Sequence, residues 1–281
     1  MRLRTLAAGV AALTLALTAC GNDGGGGSTS ASVVDKAKND KKLVVGIKYD
    51  QPGLGLRSSD GSFGGFDVEM AKIVAKALGV DESGITFKET VSANREPFIQ
   101  QGQVDMVVAT YSITDKRKDK VSFAGPYFIA GQSLLVRSDN SDVTGPESLN
   151  NNKKLCSVKG STPAQKIKDE FAKNVQLQEY DSYSKCVDAL LGGQVDAVTT
   201  DDIILAGFAA QNPGKLKVVG KTFSTEKYGI GLKKDDKAGR DAINAALEKS
   251  FSDGTWKAAL DKTLGPSGYK LPATPPTLEK Y

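Results

Sequence analysis

Four short polar runs carry most of the side chains that could do chemistry in this chain: Lys48-Tyr49-Asp50, Thr110-Tyr111-Ser112, Gly160-Ser161-Thr162 and Thr200-Asp201-Asp202. Each follows an apolar segment with the character of a buried strand. Packing alone gives a strand end no need of such groups, although a linker is polar for ordinary reasons too. The groups suit charge recognition better than bond making. Arg117 offers parallel N–H donors of the geometry a carboxylate accepts. It shares its stretch with Lys116, Lys118 and Lys120, which read as a solvated face. Ser161 and Thr162 open a helix, where free backbone amides favour a carboxylate and where either hydroxyl could instead cap. Asp50, Asp201 and Asp202 could hold a cation, or move a proton if their pKa values were shifted.

The chain has no histidine. Ser-His-Asp and Cys-His nucleophiles are excluded and the commonest metal ligand is missing, so neither a metal site nor a cofactor is expected. The formal net charge of +4 falls to about +2 without Arg2 and Arg4, which favours neither a nucleic-acid partner nor an acidic tail.

An internal repeat positions the polar runs. Residues 101–110 read QGQVDMVVAT and residues 192–201 read GGQVDAVTTD. Upstream, KKLVVGIK at 41–48 has a counterpart in KKLCSVKG at 153–160. Each half offers a lysine-led strand, then helix, then a Gly-Gln-Val-Asp turn into another strand. Phe66, Met70, Ile73, Val74, Ala77 and Leu78 follow helical periodicity, with Asp67 at the start and Gly79 at the end as expected caps. Further helices are expected from Thr162-Pro163 to about Lys173, from about Ser182 to Leu191, and over Ile203 to Ala210. Trp256 joins Ala259 and Leu260 on the apolar side of a last helix. Strands alternating with helices predict parallel α/β sheets. Two such lobes predict a cleft beyond the strand ends, where open α/β sheets bind ligands.

The first residues address the chain. Arg2 and Arg4 precede the apolar run Ala7 to Leu17, which is too short for a membrane span of ~20 residues and suits a signal peptide. The run ends in Leu17-Thr18-Ala19-Cys20, which resembles the bacterial lipobox. That resemblance implies a signal peptide at 1–19, a lipid on Cys20, and a lipidated, Gly/Ser-rich flexible tether at 20–40. Cys156 and Cys186 then lie outside the cytoplasm. They could close a disulfide of roughly 3 kcal/mol or remain two buried thiols, and the compartment favours the bridge.

GGFDVEMAKIVAKALG, REPFIQQGQVDMVVATYSITDKRKDKVSFAGPYF, KGSTPAQKIK, GGQVDAVTTDD, YGIGLKKDD and FSDGTWKAALDKTLG occur in series. Together they resemble the amino-acid-binding family of extracytoplasmic solute-binding proteins, the receptors of ABC importers. KYDQPGLGLR, SANRE and STPAQKIKDE look most like its actinobacterial glutamate-binding lipoproteins. The resemblance implies an α/β, two-lobed periplasmic-binding-protein-like fold with a ligand cleft between the lobes and two hinge crossovers. Lobe 1 would be discontinuous, 41–130 and 227–271, lobe 2 would be 131–226, and 272–281 a C-terminal tail marked by Pro272 and Pro275-Pro276. The crossovers would lie near Ile129-Ala130-Gly131 and Ser224-Thr225-Glu226.

The resemblance also implies a site. Arg117 would grip the ligand α-carboxylate, Thr110 and Ser112 would help hold its carboxyl and amino groups, and Ser161 and Thr162 would add to the carboxylate site. Asp201 would pair with the ligand ammonium, with Asp202 as the alternative. Lys48 and Arg95, with Ser92 one turn before Arg95, would read a side-chain carboxylate. Otherwise Lys48 pairs with Asp50 and Arg95 with Glu96 at the surface. Expected partners are L-glutamate or a similar amino acid (aspartate and glutamine are the alternatives), a membrane permease, and the outer face of a Gram-positive cytoplasmic membrane. A monomer is expected. The competing class is a cleft enzyme on the same fold, such as a dehydratase using Asp50, Asp201 or Asp202.

Overall fold

A computed structural model describes residues 31–150, 152–171 and 175–279. The expected signal peptide, Cys20 and the glycine-rich part of the tether lie outside the described residues. Along the chain come helix α1 (Val33–Asp40) and strand β1 (Leu43–Ile47), then the short strands β2 (Asp50–Gln51), β3 (Gly55–Arg57) and β4 (Phe63–Gly64). Helix α2 (Phe66–Ala77), β5 (Ile85–Glu89), α3 (Arg95–Gln100), β6 (Met106–Val107), α4 (Asp115–Lys118) and β7 (Ser122–Ala130) follow. After β8 (Gln132–Arg137) come β9 (Lys154–Val158), α5 (Thr162–Lys166), β10 (Gln176–Tyr180), α6 (Tyr183–Leu191), β11 (Ala197–Asp201), α7 (Asp202–Gln211) and β12 (Leu216–Val219). The last elements are β13 (Glu226–Leu232), α8 (Lys237–Ser252) and α9 (Thr255–Leu264).

Among the described residues the strands form two five-stranded sheets, β5-β1-β6-β13-β7 and β10-β9-β11-β8-β12, beside a small β2-β3-β4 sheet. The repeat read in the sequence is a repeat of architecture. β1 and β9 hold the same place in their sheets, as do β6 and β11. The repeated aspartate has the same structural task in each half: Asp105 accepts from Val44 N at 2.7 Å, and Asp196 accepts from Lys154 N at 2.7 Å. Each fixes the start of a central strand, a need dictated by buried backbone polarity.

Four expectations are corrected, the last of them in the helix after Thr162. The sheets are mixed, because β13 and β7 in one, and β8 and β12 in the other, run antiparallel to their neighbours. These are the strands through which the chain leaves one sheet and enters the other, so they arrive without a returning helix. Asp67 does not cap α2. It is buried and accepts from Tyr127 Oη at 2.7 Å and Thr110 N at 3.0 Å. The expected tether reaches residue 40, but Val33–Asp40 is a helix whose N-terminus is held by Ser32, and Ser32 Oγ and Val33 N both donate to Asp236.

The helix expected to run to about Lys173 is α-helical only to Lys166 and continues as a wider π-turn over Ile167–Phe171. The crossovers touch each other: Gln132 N donates to Ser224 Oγ at 3.1 Å and Phe223 N to Gln132 O at 3.0 Å. A Cβ on Gly131 would stand 2.6 Å from Thr222 Cβ, so glycine is needed where they meet. Trp256 is buried against Phe66 and donates to Tyr127 O at 2.8 Å, which packs α9 onto the first lobe. Cys156 and Cys186 form a disulfide joining β9 to α6, with their Cα atoms 5.6 Å apart.

Candidate functional site

The polar runs converge where the two lobes meet. Lys48 ends β1 and is buried; its Nζ donates to Ser92 Oγ at 2.7 Å. Arg95 begins α3 and is buried, with Nε donating to Ser92 O, and Nη1 to Ala109 O and Thr110 O at 3.2 and 3.0 Å. Arg117 lies on α4, whose Thr114 cap orients it. Its Nη1 donates to Ser112 O at 2.8 Å and its Nε faces Glu96 Oε1 at 3.2 Å. Both guanidinium groups lie against the Tyr111 ring, 4.4 and 5.1 Å from its centre, a cation–π arrangement. The surface alternative is excluded, since neither Lys48 nor Arg95 is exposed and Glu96 serves Arg117 instead.

These cations reach across to the second lobe. Arg117 Nη2 donates to Gly160 O at 3.0 Å, and Arg95 Nη2 does so at 3.4 Å. Asp50 accepts from Ser184 N at 3.0 Å, at the start of α6. Tyr228 of β13 donates to Asp201 Oδ2. Between the lobes a small, nearly filled cavity is lined by Ser92, Arg95, Thr110, Ser112, Ser161, Thr162 and Asp201, with Pro163, Tyr183, Thr200 and Ile204. Seven of the nine ligand residues read in the sequence therefore line one cavity. Lys48 and Arg117 stand just behind it, through Ser92 Oγ and the Ser112 carbonyl.

Asp201 and its neighbour separate cleanly. Asp202 is engaged by Gly131 N at 3.1 Å, Ile203 N at 2.8 Å and Tyr269 Oη at 2.8 Å, so it ties α7 to the crossover and to the C-terminal segment. Asp201 keeps one oxygen, Oδ1, without a partner among the described residues. A buried acceptor left open is costly unless a ligand completes it. Neither Ser161 nor Thr162 caps α5: the Ser161 side chain makes no cap bond, and Thr162 Oγ1 donates to Glu226 Oε2 at 3.0 Å.

The site is electrically divided. Burial, then the neighbouring Arg95, lowers the Lys48 ammonium to about 7. Burial, then Arg117, lowers Arg95 to about 10. On the other wall, burial and then Glu226 raise the Asp201 carboxyl to about 8. Asp67, deeper in the first lobe, is raised to about 6 by burial. Crowded cations facing a carboxylate with an open oxygen suit a ligand with one positive and more than one negative group.

Sequence reasoning missed Gln51, Tyr183 and Tyr228. Gln51 is fully buried, accepts from Thr110 Oγ1 at 3.1 Å and leaves Nε2 without a partner among the described residues. Its place three residues after Lys48 was the only signal. Thr110 has a positive φ of 43°, rare for a β-branched residue and a mark of a constrained site.

Residues 43–266 match the family described as bacterial extracellular solute-binding proteins, family 3. The chain belongs to that family. Membership assigns its work to the outside of the cytoplasm. The glutamate-binding protein GluB of Corynebacterium glutamicum is 50% identical over 258 residues, covering 89% of this chain and 85% of the relative. The ABC transporter glutamine-binding protein GlnH of Bacillus subtilis is 40% identical, covering 88% of this chain and 92% of its own. Among solved structures of the family's fold, an ancestral arginine-binding protein bound to glutamine is similar at a TM-score of 0.75 and 37% identity, covering 80% of this chain and 98% of that one.

Proposed function

We propose that this family member is the substrate-binding lipoprotein of an ABC importer. In this reading it takes up L-glutamate, or a related acidic amino acid, by closing lobe 2 (131–226) on lobe 1 (41–130 and 227–271) and delivers it to a membrane permease. The observation that carries the reading is the charge division of the site: Lys48, Arg95 and Arg117 buried together in one lobe, facing the open oxygen of Asp201. Arg117, Thr110 and Ser112 hold the α-carboxylate, with Ser161 and Thr162 from the second lobe. Asp201 takes the ammonium. Lys48, Ser92 and Arg95 take the distal carboxylate, whose charge relieves their mutual repulsion. A neutral side chain would leave those cations uncompensated in a closed cleft.

The reading asks for no bond making, and an ammonium partner accounts for Asp201 more simply than proton transfer does. A lipid on Cys20 and the glycine-rich segment after it keep the receptor at the outer face of the membrane of a Gram-positive cell, where no outer membrane would retain a diffusible one. The similarity to GluB and GlnH supports an amino acid of the glutamate or glutamine type. Calorimetric titration of the chain from Gly21 onward with the twenty L-amino acids tests it. Glutamate or aspartate should bind most tightly. Heat only with neutral or basic amino acids would overturn the dicarboxylate reading.

A further inference from the structure

Gly207 sits in the middle of α7, where glycine is the poorest helix former short of proline. No positive φ calls for it. What excludes a side chain is the other lobe: a Cβ at Gly207 would stand 2.4 Å from the backbone oxygen of Pro52. Pro52 lies in the turn between β2 and β3, directly after the Lys48-Tyr49-Asp50-Gln51 run. That turn has no room to retreat. Leu54 N closes it on Gln51 O, Phe66 N donates to Gly53 O at 2.9 Å, and a Cβ at Gly53 would meet Leu264 Cδ2 at 2.9 Å. On the other side Gly207 is buried, with Leu205 and Phe208 in the core beneath α7. Two firmly backed surfaces from opposite lobes therefore meet with space for a hydrogen and nothing larger.

We infer that Gly207 is a positioning residue for closure: its missing side chain lets the Pro52 turn seat on α7, so the second lobe can advance far enough to bring Asp201 and Ser161 to a ligand held by the first. The inference rests on the lobe-closure reading above. Gly207 touches no ligand, and its effect passes through the angle between the lobes.

The test is Gly207→Ala in the full chain, purified in detergent and titrated with L-glutamate and with L-glutamine. Alanine favours the helix, so the ligand-free melting temperature should hold or rise while the dissociation constant weakens by at least about tenfold. Ala206→Gly on the same helix is the counterpart, expected to melt lower and bind as the wild type does. A Gly207→Ala chain that binds with wild-type affinity overturns the inference and leaves the receptor reading standing. One that melts lower without ligand also overturns it, since Gly207 would then serve packing within its own lobe. A wild-type chain that binds neither amino acid overturns the glutamate-type reading, and this inference with it.

Discussion

Burial holds a proton on Asp201 up to about 8 and strips one from Lys48 above about 7. In the unfolded chain Asp201 loses its proton near 3.8 and Lys48 keeps its own to 10.5. Between 3.8 and about 8 the folded state binds more protons at Asp201, so that contribution to stability falls as pH rises. Between about 7 and 10.5 the unfolded state binds more at Lys48, so that contribution rises with pH. An acidic amino acid reverses both preferences, its ammonium drawing the proton off Asp201 and its carboxylate restoring one to Lys48. Binding should release roughly one proton near pH 6, take up roughly one near pH 9, and change sign between. Calorimetry in buffers of different ionisation enthalpy reads this directly, and a constant proton number across that range would count against the pairing. Substitution separates the cations too. Arg117→Ala should abolish measurable binding of every amino acid, as expected when a charged hydrogen-bonding partner is removed from a closed site. Arg95→Ala should weaken glutamate far more than glutamine. Normal glutamate binding by Arg95→Ala would remove that residue from the site.

At the scale of elements, the disulfide between β9 and α6 is the strongest single restraint on the second lobe. Its cysteines are 30 residues apart, for which chain entropy gives roughly 3–4 kcal/mol. Ser161 follows Cys156 along this connection, and Tyr183 precedes Cys186 by one helical turn, so the bridge also steadies cavity-lining groups. The Cys156→Ala/Cys186→Ala chain should lose about that stability in urea unfolding, and reductant should bring the wild type to the same midpoint. A midpoint insensitive to both would mean that the lobe's packing alone suffices.

For the whole molecule, the cross-lobe contacts matter more than any one lobe. Ser184 N to Asp50, Arg117 to Gly160 O and Tyr228 to Asp201 each join residues far apart in sequence and on different lobes. Ligand should therefore stabilise both lobes at once. At a hundredfold excess over its dissociation constant it should add about 2.7 kcal/mol. Amide hydrogen exchange should slow at Ser184 and along the β2–β3 turn together. Protection confined to one lobe would argue against closure.

Read alone, the sequence specifies the repeat, the two lobes that follow from it, the strand ends that carry polar groups, and the two cysteines. These are local or periodic signals, legible because helix and strand geometry impose fixed spacings on apolar residues. It misjudged Asp67, since a carboxylate near a helix start resembles a cap until Tyr127 and Thr110 arrive from other elements. It left Asp201 and Asp202 unresolved, because adjacent residues at a strand-to-helix junction differ only in which way they point. The tertiary structure decided that: Gly131 and Tyr269 occupy Asp202, while Asp201 keeps an oxygen open. It also decided that Lys48 and Arg95 are buried together, that Gln51 is buried against Thr110, that Tyr183 lines the cavity, and that Gly207 meets Pro52. Each of those depends on a partner brought close only by the mixed sheets and their two crossovers, and no spacing along one strand or helix encodes it.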